Sequence, residues 1–191
     1  MRKELDRWRL YSKTEDTEQF LCRFLIALDE LRARLSPRYP NLEVTDEGHL
    51  WFNIDTTEGT FEILAFPFGF KKLEGPTIAA SLPCKATDVD PYFLKKLHQT
   101  ADKMIEAKAF AAISTYHEIM DAYRQNTNPP LTFFWKPEEM LKAANENVFF
   151  SYLGIGFSVA EKMVGQVEQT IKDVLLKLDL KIIPPKETRA L

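Results

Sequence analysis

Glycine, histidine and cysteine are scarce in this chain: seven, three and two among 191 residues. Each scarcity excludes something. Two cysteines, Cys22 and Cys84, cannot build the disulfide framework of a small secreted domain, and both fall on predicted apolar faces. They read as two reduced core thiols in a cytoplasmic protein. His49, His98 and His117 are too scattered to supply the three or four converging ligands of a metal centre. His98 with Asp102, and His117 with Asp121, stand four residues apart and read as solvated helical pairs. Closely spaced glycines occur only at Gly154-Ile155-Gly156, where Val159 stands at the third glycine position of a dinucleotide loop. No His-Glu-x-x-His, Cys-x-x-Cys or Gly-x-Ser-x-Gly motif occurs. The sequence therefore assigns no catalytic residue, no metal and no cofactor. No motif carries a family resemblance.

Long apolar runs are also missing. None approaches the ~20 residues of a membrane span. The basic start, MRKELDRWRL, is not followed by the apolar core of a signal peptide. The expectation is a cytoplasmic protein with no membrane partner. Basic charge is thin where a nucleic-acid reader would need it. Residues 41–90 carry nine acidic and three basic side chains, so no nucleic-acid partner is expected.

What is present is periodicity. Phe20, Leu21, Phe24, Leu25, Leu28, Leu31 and Leu35 form an apolar stripe for a helix from Asp16 to Leu35, with Asp16 and Gln19 as a capping box. The period then drops to two. Leu42–Thr45, His49–Asp55, Thr60–Phe66 and Thr77–Cys84 read as four antiparallel strands. A three-residue loop with Gly48 at positive φ sets Val44 opposite Leu50. The next hairpin pairs Ile54 with Phe61, Phe52 with Ile63 and Leu50 with Ala65, leaving one face uniformly apolar. Asp90 and Pro91 open a helical pattern that runs with no further proline to Asn126 and ends before Pro129-Pro130. Further on, 131–135 reads as extended, 137–145 as a helix, and 148–157 as strand or buried loop. Ser158 with Glu161 reads as the capping box of a last helix, and 180–183 as a terminal strand.

The expected fold is α+β, a four-stranded antiparallel sheet with helices packed on one face, including one long helix at about 90–126. Residues 1–15 are expected to form an N-terminal arm, 16–183 a single α+β domain and 184–191 a C-terminal tail.

Aromatic density carries the functional reading. Phe133, Phe134, Trp135, Phe149, Phe150 and Tyr152 crowd into one segment, and consecutive rings cannot all face one core. They are the candidate protein-binding residues, with Trp135 and Phe150 as anchors. The leading expectation is a non-catalytic protein-binding module: an adaptor, an inhibitor or a chaperone-like partner. Protein partners or self-association, as in a homodimer, would engage the 131–157 segment. The alternative is a small-molecule-binding protein or enzyme with a pocket between the sheet and the 131–157 aromatic segment.

Overall fold

The structure, a computed structural model, describes residues 19, 26, 29–30, 32–45, 49–66, 69–74, 76–85, 88–145, 148–159 and 166–184. Most of the predicted first helix, Cys22, Gly48, Glu161 and most of the arm and tail lie outside these residues.

Alternating apolar and polar residues build the first half of the sheet as expected. Strands β1 (Glu43–Val44), β2 (Leu50–Thr56) and β3 (Gly59–Phe66) run antiparallel in sequence order. Val44 lies opposite Leu50, and Ile54, Phe52 and Leu50 oppose Phe61, Ile63 and Ala65. A small hairpin follows, β4 (Gly69–Phe70) and β5 (Leu73–Glu74), and then β6 (Thr77–Leu82) pairs with β3.

The long helix is not formed. Helix α1 covers only Pro91–Asp102, capped as expected by Asp90, whose side chain accepts from the Tyr92 amide. The chain then turns through Glu106, at φ 51°, into strand β7 (Ala107–Thr115). Thr115 and Glu118 form a capping box that opens a second helix, α2 (Tyr116–Gln125), closed by left-handed Asn126. The stretch AKAFAAIST misleads because alanine is the best helix former and fits both periods. Every residue from Ala109 to Ser114 is buried, so the strand shows no polar alternation to read. The apolar stripe extrapolated through it fails at both ends: Ile105 and Tyr123 are exposed.

The sheet therefore has seven strands, not four. Its order is β1-β2-β3-β6-β9-β7-β8, completed by β8 (Thr132–Phe134) and β9 (Val148–Ser158), with α3 (Pro137–Asn145) between them. Ser158 is the last residue of β9, and its expected capping partner Glu161 lies outside the described residues; helix α4 is described over Val167–Lys177. Ile182 bridges to Thr56 in place of a full terminal strand.

One face of this sheet, called inner here, carries the core. Phe52, Phe61 and Phe157 are buried there with Ile63, Ile78 and Ile155. Leu94 and Leu97 of α1, Met140 of α3, and Ile171 and Leu175 of α4 join the same cluster. Leu35 is buried among them, and the Tyr39 ring lies 5.1 Å from Phe52, so the chain enters the sheet from the inner side. Among the described residues no helix is long and apolar enough to cross a membrane.

Candidate binding surface on the outer face of the sheet

The other face of an antiparallel sheet ordinarily meets water and carries polar side chains. Here it carries a second apolar cluster. Phe66, Phe70, Phe110, Phe133, Trp135 and Tyr152 gather around Ala79 and Ala112. Strand parity explains the set: Phe110 alternates with inward Ala109 and Ala111, and Phe133 and Trp135 flank inward Phe134.

The β4–β5 hairpin lies over this face as a flap. Its Phe70 ring is the hub, 4.7 Å from Phe66, 5.1 Å from Phe110, 5.3 Å from Phe133 and 6.2 Å from Trp135. Leu73 beside it is buried. A Cβ on Gly156 would sit 2.9 Å from Leu73 Cδ1, so glycine in β9 makes room for the flap. A Cβ on Gly154 would meet the Ala80 carbonyl oxygen at 2.3 Å. The glycine pair thus serves close packing within a strand, not a phosphate loop. At the flap tip, Lys71 places Nζ 4.6 Å from the Phe133 ring centre, and Lys72 places Nζ 5.8 Å from that of Trp135. Each such cation–ring contact contributes about 0.5–1 kcal/mol when exposed. The flap covers the cluster incompletely: Phe66, Phe70, Phe133, Trp135 and Tyr152 all remain partly exposed.

The opposite side of this face is acidic. Glu62 accepts hydrogen bonds from the Tyr152 hydroxyl and from the Trp51 indole. Burial raises its carboxyl above the usual range, and those two donors oppose the rise. Burial and the neighbouring Glu62 together raise the Tyr152 phenol. Asn53, opposite Glu62, has a buried Oδ1 without a partner among the described residues. Asp55 accepts from Thr60 Oγ1 at 2.8 Å.

Strand pairing arranges all these residues in rows across the sheet. Glu43, Trp51, Leu64, Ala79, Gly156 and Lys108 share one row. Asn53, Glu62, Ser81, Gly154 and Phe110 share the next, which reaches Trp135 beside β7. Asp55 and Thr60 stand in the third, level with Tyr152, Ala112 and Phe133.

Of the six residues expected from sequence, the structure brings Phe133, Trp135 and Tyr152 together on the outer face. Phe134 is the exception, since it packs against the inner core. Phe149 and Phe150 belong to β9, but their side chains lie outside the described residues. Residues 131–157 supply two strands and a helix of the fold itself. Sequence reading missed Phe66, Phe70, Phe110 and both flap lysines. Only the folded hairpin shows where Phe70 goes.

Strands β8 and β9 of the 131–157 segment belong to the sheet itself. A cleft of about 370 Å³ opens on the inner side, where Leu82, Cys84, Phe93, Leu153 and Leu180 meet Lys96. Lys96 pairs there with Asp179. The Cys84 thiol is pushed up to about 11 by burial, then by Asp88, which makes it a poor nucleophile. His98 and His117 ride on separate helices, and no group of three metal-ligating side chains converges among the described residues. No protein-family model, curated protein or solved structure matches this chain.

Proposed function

We propose that this protein is a non-catalytic protein-binding module that works through the outer face of its sheet. One observation carries the reading. A contiguous aromatic cluster lies on the face opposite the helices, half-covered by a short flap and edged by lysines. Aromatic residues and partial cover of this kind characterise the centres of protein interfaces. Trp135→Ala tests it. The expected result is a melting temperature within a few degrees of the parent and an association weakened by about 2 kcal/mol or more. A large loss of stability with unchanged association would mean that Trp135 serves the fold alone.

A second reading has its own support. The inner cleft falls within the ~300–1,000 Å³ range of small-molecule sites, and it combines apolar walls with Lys96. Leu153→Trp would fill it. A ligand found by thermal-shift screening that stabilises the parent but not this variant would favour that site.

A further inference from the structure

Charge on the outer face is segregated. Strands β1–β3 present Glu43, Asp55 and Glu62 and no cation among the described residues. The middle strands carry Thr77, Ala79, Ser81, Gly154 and Gly156 on this side, which are small, neutral and already buried. The β7–β8 side presents Lys108 and the flap lysines, Lys71 and Lys72. Among the described residues none of these three lysines is paired with a carboxylate.

The charges also match in height along the strands. Glu43 and Lys108 share one row. Glu62 shares the next with Trp135, the ring beneath Lys72. Asp55 stands in the third, level with Phe133, the ring beneath Lys71. Each row therefore has a carboxylate on its β1–β3 side and a lysine in or above its β7–β8 side.

We propose that the outer face binds a second copy of this chain, about a two-fold axis that lies in the interface, parallel to the strands and close to β6. This inference rests on the protein-binding reading above. Rotation about such an axis exchanges left and right and leaves height unchanged. It sets the side of one copy that carries Lys108, Lys72 and Lys71 against the side of the other that carries Glu43, Glu62 and Asp55. The same rotation places each flap, which lies on its own middle strands, toward the acidic side of the opposite sheet. A two-fold axis across the strands would instead oppose like charges, and is disfavoured. The size is adequate. Seven strands at ~4.8 Å spacing and about 20 Å length give roughly 600 Å² in projection, near the ~800 Å² per partner of a standard interface.

Charge reversal on exposed positions tests this pairing. One variant carries Lys71→Glu and Lys108→Glu, the other Asp55→Lys and Glu43→Lys; all four sites are exposed. Sedimentation equilibrium of the parent from about 1 to 100 μM should show a dimer that weakens with added salt. Each reversed variant should lose self-association at least tenfold while keeping the parent's circular dichroism. An equimolar mixture of the two should recover a one-to-one heterodimer. A monomeric parent, a dimer indifferent to both reversals, or folded variants that fail to recombine would overturn the proposal. If a reversed variant misfolds, the salt titration of the parent decides, and a salt-insensitive dimer counts against it. Should the parent be monomeric while Trp135→Ala still melts normally, the surface remains a binding face for another protein. Should Trp135→Ala unfold, the binding reading falls as well.

Discussion

The two faces of one sheet follow different rules. The inner face is aliphatic and aromatic, closed over by α1, α3 and α4, with Phe61, Ile63, Ile78 and Ile155 at zero exposure. The outer face holds as many large rings but leaves most of them partly open, under a flap only a few residues long. Helices on the inner side remove Phe52, Phe61 and Phe157 from water, so stability rises with each buried atom. On the outer side, aromatic surface stays available between charged edges. Burial of this kind contributes less to the fold and remains free for association. The teaching is that apolar content alone does not mark a core; closure does.

Substitutions test that contrast, beginning with the largest expected effect. Phe52→Ala on the inner face should cost about 3–5 kcal/mol, read by denaturant unfolding. A cost under 1 kcal/mol would break the contrast. Gly154→Ala should cost about 1–3 kcal/mol, because its new methyl meets backbone at 2.3 Å. This outer-face site should behave like a core site, which sharpens the claim that closure sets the cost.

Titration separates the two sides by sign. His98 of α1 has its imidazole held below the usual range, chiefly by burial, with Asp102 and Glu138 opposing. The folded state then binds fewer protons than the unfolded state below the ordinary value of 6.5. Stability from His98 is present above that pH and is lost as pH falls. Glu62 is the reverse case. Its carboxyl is raised, so its contribution is present below the ordinary 4.5 and is lost as pH rises through the folded value. Melting temperature between about pH 4.5 and 6.5 should thus climb less with pH in His98→Gln than in the parent, and more in Glu62→Gln. The same slope in all three proteins would refute both assignments. The smallest effect is Glu62→Gln at neutral pH, where the amide oxygen still accepts from Tyr152 and Trp51. A change within about 1 kcal/mol is expected by denaturant unfolding.

The legible part of the fold was the part with one wet face. In β2 and β3, Asn53, Asp55, Thr60 and Glu62 interrupt the apolar residues every second position, and the pairing read from sequence matches the structure residue for residue. The β7 and β9 strands gave no such signal. Ala109 to Ser114 and Leu153 to Phe157 are buried from both sides, by the helices on one and by flap and rings on the other. A strand buried twice has no reason to alternate. The same double burial hid Phe110. Phe133 and Trp135 were legible because consecutive rings cannot share a face, yet that argument could not say that Phe134 was the one turned inward.

Strand β9 has one more consequence, for how the chain comes to exist. It is last in sequence but sits between β6 and β7, paired to both. Until it arrives, the sheet is two separate pieces, each with an open edge of unpaired amides and carbonyls. Roughly 65 residues separate the end of β6 from the start of β9, or about 3–13 s of synthesis at ~5–20 residues per second. Through that interval β6 offers a full six-residue edge, whereas the finished sheet exposes edge strands of only two and three residues. A nascent chain halted before Val148 is therefore the aggregation-prone form of this protein, and the ribosome-bound intermediate is where a holdase chaperone would be needed.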